Sequence, residues 1–317
     1  MITLAHLSDP HLGPLPTPRP HELASKRLTG FINWIRKRRF MHRPEVLAAI
    51  VEDLKAQSPD HIAVTGDLAN ISLPREFVAG RAWLEQVGDA RDVTVVPGNH
   101  DAYVRGTEPE VVRHWSEFLR GDSVRDPEKW EPVFGQDHAQ IEASAPTFPF
   151  VRRRGPLALV GVSTAVPTPP FMATGLLGAD QLVRLGATLA ALAREACFRV
   201  VLIHHPPVSP PARHHKRLID AEALRAVLAR HGAELLLHGH DHVHSLVWLD
   251  GPGGRIPAVG VPSASVVPGG KDDPAAYNIY RIDGAPGAWR CEAISRGLTS
   301  AGAGDSIAEL KRQQLIG

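Results

Sequence analysis

Five short groups of histidine, aspartate and asparagine contain the side chains of this sequence that could bind metal or catalyse a reaction together. In chain order they are Asp9-x-His11, Gly66-Asp67, Asn99-His100-Asp101, His204-His205 and His240-x-His242. Imidazole nitrogens combined with carboxylate and amide oxygens suit Mn, Fe or Zn better than Ca or Mg. One such pair alone is more often a turn residue beside a surface histidine. Five in succession, each directly after an apolar run, predict that these groups converge on a metal site.

The histidine-rich segment 238–244 is the densest of these groups and has two interpretations. Of the 17 histidines in the sequence, five lie between residues 231 and 244. Such a segment could be a solvated loop that binds metal adventitiously. The apolar residues 235–237 before it, and Gly239, which allows a tight backbone path, favour a built site instead. Alternating imidazoles from His240 and His242 could then reach two neighbouring ions.

The segments that must position these groups have the pattern of buried strands alternating with helices. Short apolar, β-rich runs at residues 2–7, 61–65, 93–96, 199–203 and 234–237 each end at one of the polar groups. Apolar residues at helical spacing indicate helices around 46–54, 182–192 and 224–228. This alternation predicts a layered α/β domain, in which ligands collect beyond the carboxyl ends of the strands. Four short strands between 245 and 294 predict a second, more antiparallel sheet packed on the first.

Composition and charge exclude several classes of protein. The 317 residues suffice for about two domains or for one large α/β domain. With 35 basic and 34 acidic residues, the net charge of +1 provides no global attraction to nucleic acid or membrane, and we expect no specific nucleic-acid binding. The sequence has no apolar run of membrane-spanning length and no signal-peptide pattern. Its two cysteines, Cys197 and Cys291, suggest no disulfide framework, so we expect a reduced, cytoplasmic protein.

In their types, order and spacing, the five groups make this sequence resemble the calcineurin-like metallophosphoesterases. The blocks Gly98-Asn99-His100-Asp101 and Gly239-His240-x-His242 are the most specific part, and the resemblance covers about residues 1–245. The run from His204 to Pro207 is most similar to the bacterial branch of binuclear-metal phosphodiesterases, which contains cyclic-nucleotide and glycerophosphodiester phosphodiesterases. This resemblance implies an α/β fold, specifically a four-layer α/β/β/α sandwich of two mixed β-sheets flanked by helices.

The same resemblance implies a centre with two divalent transition-metal ions, Mn, Fe or Zn. The implied ligands are Asp9, His11 and His242 for one ion and Asn99, His204 and His240 for the other, with Asp67 bridging the two. His205 is an alternative to His204 because the two histidines are adjacent.

The reaction implied by the resemblance is hydrolysis of a small substrate at a phosphodiester or diphosphate bond, by attack of a hydroxide that bridges the metals. The resemblance implies that His100 either protonates the leaving oxygen as an acid or stabilises the transition state, and an ordinary pKa of about 6.5 suits the acid role. Asp101 either orients His100 or caps a following helix. One alternative is cleavage of a lipid-linked nucleotide diphosphate sugar, as in relatives that cleave UDP-diacylglucosamine. Another is a metal-binding scaffold without catalysis, although a scaffold with a decayed site should lack ligands that are present here.

We expect one metallophosphoesterase domain at residues 1–295, with a basic helical insertion at about 13–43. A tail at 296–317 should contain a short helix that ends near Leu315. Three segments, 13–43, 115–150 and 206–217, are candidates for caps that select the substrate. The sequence does not indicate the oligomeric state.

The basic insertion has two interpretations. Residues 23–43 contain seven Lys and Arg and no acidic residue, and Leu28, Phe31 and Ile35 are at helical spacing. An amphipathic helix here could dock its apolar face on the core with its basic side solvated. Alternatively, it could contact anionic lipid at the inner face of the membrane, or hold the anionic part of a large substrate over the metals.

Overall fold

The structure is a computed structural model that describes residues 1–122, 147–299 and 306–317. The strands in these ranges are β1 Ile2–Leu7, β2 His61–Val64, β3 Val93–Val95, β4 Phe150–Arg154, β5 Leu157–Gly161, β6 Phe198–Leu202, β7 Leu235–His238, β8 Ser245–Gly251, β9 Gly254–Gly260, β10 Ala276–Asp283, β11 Arg290–Leu298 and β12 Ile307–Ile316. The α-helices are α1 Arg27–Asn33, α2 Arg39–Met41, α3 Pro44–Ala56, α4 Pro74–Val87, α5 Glu108–Trp115, α6 Ala179–Arg194 and α7 Ala221–His231. A π-helical segment, Trp34–Arg38, joins α1 to α2.

The described strands form two six-stranded mixed sheets. The first has the order β12-β11-β10-β1-β2-β3, and the second has the order β4-β5-β6-β7-β9-β8. Strands β1, β2 and β3 are parallel to one another, as are β5, β6, β7 and β9. Because parallel strands end at the same edge of a sheet, the loops after β1, β2 and β3 lie together, and so do those after β6 and β7.

Three layers of apolar packing hold the two sheets and the helices together. Between the sheets, Leu4 and Tyr280 pack against Leu159 and Leu237. Helices α3, α4 and α5 cover the outer face of the first sheet, and α6 and α7 cover the outer face of the second. Strands β2, β5, β6 and β7 are buried along their whole length, which explains their continuous apolar runs. The predicted four-layer sandwich of two mixed sheets is confirmed.

Two expectations about the C-terminal third are wrong. The strands after residue 244 do not form a sheet of their own, because β8 and β9 extend the second sheet while β10, β11 and β12 extend the first. The tail does not form the expected helix, since Ile307–Ile316 is strand β12, antiparallel to β11. The unpaired edge of β11 offers it a ladder of hydrogen bonds, and Leu315 is buried against the sheet. Residues 300–305 lie outside the described ranges.

The basic insertion is helical, as expected, but its apolar residues divide differently. Phe31 and Trp34 pack on a small cluster that includes Ile71 and Tyr103, whereas Leu28 is exposed. Of the predicted cap at 115–150, residues 123–146 lie outside the described ranges. Within those ranges, none of the helices has both the length and the apolar content to cross a membrane.

Candidate metal centre

The seven predicted ligands converge where the two sheets meet at their carboxyl-end loops. Contacts cross from the first sheet to the second: Asp9 Oδ1 lies 3.2 Å from His242 Nε2, and Asn99 Oδ1 lies 3.2 Å from His204 Nε2. The backbone is strained at this place. The residues there with left-handed φ angles are Asp9 (51°), His11 (40°), Asp67 (58°), His240 (71°) and His242 (55°). Such conformations are costly for residues other than glycine and concentrate at functional sites.

Tight packing of the loops explains one glycine of the motif. A Cβ at Gly239 would lie 1.8 Å from Ser8 Oγ and 2.4 Å from Asp9 Oδ2. With glycine there, the backbone N–H of His240 donates to Asp9 Oδ2 at 2.9 Å. The predicted tight backbone path at this position is therefore present, and it brings the loop after β7 against the loop after β1.

His11 and His242 form the first of two facing imidazole pairs. On the outer side, His11 Nδ1 donates to the Ala69 carbonyl at 3.2 Å, and His242 Nδ1 lies 3.4 Å from Asp272 Oδ2. These partners leave Nε2 of each ring pointing inward, with 3.3 Å between the two nitrogens. An outer hydrogen bond that fixes the ring in this way is the usual support of a metal-binding histidine.

His204 and His240 form the second facing pair. His204 Nδ1 donates to the Thr65 carbonyl at 2.6 Å, and His240 Nε2 donates to the Lys216 carbonyl at 2.9 Å. The inner nitrogens, His204 Nε2 and His240 Nδ1, are 3.2 Å apart. Asp67 lies between the two pairs, with Oδ2 3.4 Å from His204 Nε2 and 3.9 Å from His11 Nε2.

The structure separates His204 from His205. Both ring nitrogens of His205 have partners outside the cluster, Thr164 Oγ1 at 2.7 Å and the Ala173 carbonyl at 3.2 Å. His204 instead directs Nε2 at Asp67 and Asn99. Of the two alternatives, only His204 has a nitrogen available to the centre.

The carboxylates of the cluster favour positive charge on two of its four histidines. Although burial opposes protonation, Asp67 raises the pKa of His204 to about 9, and Asp9 and Asp272 raise that of His242. Burial and neighbouring cations hold the pKa values of His11 and His240 well below their ordinary range. A proton can form a hydrogen bond between only one pair of facing atoms. Nitrogens and oxygens converge here from several directions, as the ligands of a metal ion do.

The donor set fits metal ions. The ligand atoms of Asp67, His204 and His240 lie within 4.8 Å of one another, as do those of Asp9, His11 and Asp67. Imidazole and carboxylate groups in this mixture suit Mn, Fe or Zn. The residues present therefore fit a centre of more than one transition-metal ion.

His42 is a further candidate ligand that the sequence pattern did not identify. Its ring is buried, Nδ1 lies 2.8 Å from Ser265 Oγ, and its ligand atom lies within 4.8 Å of those of His11 and His242. His42 lies near the end of the basic insertion and does not follow an apolar strand. The strand-end pattern that marked the other ligands was therefore absent.

His100 lies beside the cluster. Its backbone N–H donates to Asp67 Oδ1 at 2.7 Å, and Nδ1 donates to the Asn70 carbonyl. Arg38 Nη1 lies 2.8 Å from Nε2 and 3.1 Å from Nδ1. Burial and the Arg38 guanidinium lower the pKa of His100 to about 3. The arrangement leaves Nε2 as the atom through which His100 can exchange a proton.

Asp101 has neither of the two predicted roles. Its carboxylate accepts backbone N–H groups of Asp67, Ala69 and Gly98, each at 2.8 Å. It thus fixes the loops that carry Asp67 and Asn99, and the next helix, α5, begins only at Glu108.

A cavity of about 460 Å³ opens over the cluster, and its wall is rich in cations. The basic residues that line it are Lys26, Lys37, Arg38, Lys216 and Lys271. Phe171, which is 85% exposed, lies at the same cavity. A larger cavity of about 690 Å³ between α5 and α6 contains none of the seven predicted ligands and adjoins Thr147, where a described range begins.

The chain is similar to known proteins in sequence and in fold. The sequence pattern of the calcineurin-like phosphoesterases matches residues 2–244. A Synechococcus protein named as a probable cyclic nucleotide phosphodiesterase is 27% identical over 198 residues, which span 62% of this chain and 62% of that protein. A dimetal phosphatase from Danio rerio has a similar fold, with a TM-score of 0.60, 12% identity and coverage of 99% of this chain and 98% of that one.

A purple acid phosphatase from yellow lupin seeds is also similar in fold, with a TM-score of 0.53 and 12% identity, over 93% of this chain and 51% of that one. The two structural likenesses concern the fold, while the sequence match covers every predicted ligand. The chain belongs to the calcineurin-like phosphoesterase family.

Proposed function

We propose that this protein hydrolyses phosphodiester or diphosphate bonds at a centre of two transition-metal ions. The observation that carries the proposal is that two imidazole pairs, His11 with His242 and His204 with His240, lie on either side of the Asp67 carboxylate. One ion would be held by Asp9, His11 and His242, the other by Asn99, His204 and His240, with Asp67 shared. Two bound ions would polarise the phosphoryl group and lower the pKa of a bound water.

The protein's own residues supply the remaining chemistry. The Asn70 carbonyl fixes the His100 ring, so that Nε2 faces the cavity and would pass a proton to the leaving oxygen. An anionic substrate beside Arg38 and His100 would offset the guanidinium charge that disfavours protonation of His100. The loop bonds of Asp101 hold Asp67 and Asn99 in place before a substrate arrives.

Two substrate classes are open to this mechanism. The name of the Synechococcus relative supports a small phosphodiester such as a cyclic nucleotide. The exposed Phe171 at the cavity and the cations of the cavity wall support a lipid-linked nucleotide diphosphate sugar. A metal-binding scaffold without catalysis is the remaining alternative.

A hydrolysis panel tests the proposal. The purified protein, reconstituted separately with Mn, Fe and Zn, would be assayed on cyclic nucleotides, a bis-aryl phosphate, an aryl monophosphate and nucleotide diphospho-sugars. We expect metal-dependent turnover of diesters or diphosphates that exceeds turnover of the monoester. Two bound ions without hydrolysis of any substrate would support the scaffold instead.

We also propose that the insertion contacts anionic lipid. Leu28 (48% exposed), Ile32 (42%) and Phe40 (59%) present apolar side chains to solvent. With Arg36 they are spaced four residues apart, so they follow one side of the helical segment, and Arg39 flanks them. Exposed apolar residues among Arg side chains suit the interface of an anionic bilayer.

Co-sedimentation with vesicles tests this contact. The wild-type protein should bind vesicles that contain phosphatidylglycerol, and binding should fall at high salt and in the variant Ile32→Ser with Phe40→Ser. Val183→Ser, at an exposed apolar position on α6, serves as the matched control and should not change binding. Equal sedimentation with neutral and anionic vesicles, or none at low salt, would contradict the lipid contact.

A further inference from the structure

We propose that Arg38 binds the second phosphate of a diphosphate substrate, on the leaving-group side of His100. This inference rests on the proposed phosphohydrolase function and narrows its substrate class. Nothing in the sequence distinguished Arg38 from the other basic residues of the insertion, and its role follows from where the structure places it.

Arg38 lines the cavity, and in the described part of the chain no carboxylate lies within ion-pair distance of its guanidinium; Asp67 and Asp9 act on its charge only from farther away. It ends the π-helical segment, and Nη1 lies 2.8 Å from His100 Nε2. In the described part of the chain, His100 is its sole hydrogen-bond partner. A partly buried guanidinium is costly without a counter-charge, and its planar set of donors matches phosphate oxygens. The site therefore lacks an anion that a substrate can provide.

Because Arg38 lies next to His100, the anion that it binds would be part of the leaving group of the substrate. His100 would give its proton to the oxygen that leaves the attacked phosphorus. In a phosphodiester of an alcohol or phenol, that oxygen is attached to carbon, and no anionic oxygen follows it. In a diphosphate it is attached to the second phosphorus, whose free oxygens are anionic. Every diester has anionic oxygens on the attacked phosphorus, but of these two substrate types only a diphosphate also has a fixed negative charge on the leaving group, where a guanidinium within hydrogen-bond distance of His100 Nε2 would meet it.

The charges around the cavity favour the same substrate class. Lys37, Lys216 and Lys271 line the cavity with Arg38. Besides Asp67 of the ligand cluster, the acidic residues that line the cavity in the described part of the chain are Asp241 and Asp272. Asp241 pairs with Arg213 Nη1 at 2.7 Å, and Asp272 pairs with His242 Nδ1 at 3.4 Å. The excess of cations beyond the ligand cluster suits a substrate with more negative charge than the single charge of a diester.

Lys26 has a different role from Arg38. Its ammonium donates to Thr168 Oγ1 at 2.7 Å and to the Met172 carbonyl at 3.0 Å, and it lies 4.4 Å from the centre of the Tyr103 ring. These contacts tie the insertion to the loop after β5. They hold the segment that carries Arg38 over the cavity.

Kinetics and equilibrium binding of Arg38→Gln and Arg38→Lys test the inference. Arg43→Gln is the matched control, because Arg43 follows in the same segment, is exposed, pairs with Glu45 at 3.3 Å and does not line the cavity. For Arg38→Gln we expect kcat/KM to fall about 10- to 150-fold on a nucleotide diphospho-sugar, the effect of losing a charged hydrogen bond. On a bis-aryl phosphate it should fall less than about threefold, and Arg38→Lys should recover part of the loss. Isothermal titration with methylene diphosphonate should show a matching loss of affinity, with metal content unchanged.

The outcomes separate this inference from the proposed function. An equal fall on all substrates, unchanged kinetics, or a wild-type protein that hydrolyses diesters but no diphosphate would each overturn the role of Arg38 and leave the phosphohydrolase standing. A wild-type protein that hydrolyses no phosphate ester with any of the three metals would overturn the proposed function itself.

Discussion

At the scale of single residues, the outer hydrogen bonds of the histidines decide what the centre can bind. His242 has a carboxylate as its outer partner, Asp272, whereas His11, His204 and His240 donate to backbone carbonyls. A side chain can be removed by mutation and a carbonyl cannot, so Asp272 is the accessible test of this outer support. Without the Asp272 carboxylate, the ring of His242 would be free to rotate away from Asp9.

We therefore expect Asp272→Ala to weaken binding of one metal ion about 10- to 100-fold, the usual effect of losing a second-sphere partner. Metal competition titrations would measure this affinity. Asp250→Ala, at an exposed carboxylate of β8, is the control and should leave both affinities unchanged. Equal affinities in Asp272→Ala and the wild-type protein would show that the ring needs no such support.

His100 should be separable from the ligands. Because its Nε2 faces Arg38 and its Nδ1 is bonded to Asn70, His100→Asn should retain both metals while turnover falls about 10²- to 10⁴-fold. A nitrophenol leaving group needs little protonation, so the defect should be smaller on that substrate. Elemental analysis and steady-state kinetics on good and poor leaving groups provide the check. Full turnover on the poor leaving group would rule out the acid role.

The strand-end pattern predicted most of the cluster but not the residues that the insertion contributes. Asp9, Asp67 and Asn99 follow parallel strands, and the end of a parallel strand is a position that sequence can reveal. Arg38 and His42 reach the cavity because the insertion folds back over it. That placement depends on contacts between distant segments, which no local pattern records.

At the scale of elements, one glycine allows the insertion to pack closely on the core. A Cβ at Gly30 of α1 would lie 2.5 Å from the Tyr103 hydroxyl oxygen and 2.7 Å from Ile71 Cγ2. The close approach lets Tyr103, which stacks on the His100 ring with 5.3 Å between centroids, contact both the insertion and the site. The position of Arg38 thus depends on the fit of α1.

Gly30→Leu should lift the insertion and displace Arg38 without unfolding the protein. We expect hydrolysis of diphosphates to fall as in Arg38→Gln, with a similar content of secondary structure and faster proteolysis within residues 23–43. Gly253→Ala, where an added Cβ meets nothing within 4 Å, is the control. If Gly30→Leu kept wild-type kinetics and protease resistance, the insertion would not depend on this contact.

Asp53 connects α3 to the first sheet. Its carboxylate accepts two bonds from Arg296 of β11, each at 2.8 Å, and one from the Tyr277 hydroxyl of β10. Burial opposes its charge, yet the bonds from Arg296 and Tyr277 lower the pKa of Asp53. Because this pKa is lower in the folded than in the unfolded protein, the stabilisation is present above the unfolded pKa and is lost as pH falls through the folded pKa.

Asp53→Asn should accordingly reduce the free energy of unfolding by about 1 to 2 kcal/mol at pH 7. The difference from the wild-type protein should shrink at about pH 3, below the ordinary aspartate pKa of about 3.9, because the unfolded wild-type chain takes up a proton there more readily than the folded one. Urea unfolding of both proteins at pH 7 and at about pH 3 measures this difference in the free energy of unfolding. Asp283→Asn, which breaks an exposed pair with Arg290, is the control and should have little effect. A difference that does not change with pH would contradict this account.

The elements themselves were predictable where burial was complete, and less so at the sheet edges. β2 and β6 are buried along their length, so their sequences are continuous apolar runs. The partners of β10 were not predictable, because its pairing with β1 joins segments some 270 residues apart. β12 is mostly exposed, and only its pairing with β11 makes it a strand, which is why its local spacing suggested a helix.

At the scale of the whole molecule, the proposed metal centre joins the two sheets. Asp9, His11, Asp67 and Asn99 follow strands of the first sheet, while His204, His240 and His242 follow strands of the second. Ions bound between them would add a link across the sandwich at its loop edge. Because the unfolded chain offers no such arrangement, ions that bind the native state should stabilise the whole fold.

We therefore expect the melting temperature to fall when metals are removed with a chelator and to recover when Mn or Zn is restored. At a free concentration of 100 times Kd, one bound ion contributes about 2.7 kcal/mol. Since Asp67 raises the pKa of His204 to about 9, an ion must displace a proton there, and the metal-dependent rise in melting temperature should be larger at pH 8 than at pH 6.

Differential scanning calorimetry of the wild-type protein and Asp67→Ala, with and without metal at both pH values, provides the measurement. Asp67→Ala should lose most of the rise, because this residue lies between both imidazole pairs. An equal metal-dependent rise in the variant, or none in the wild-type protein, would mean that the ions do not link the two sheets.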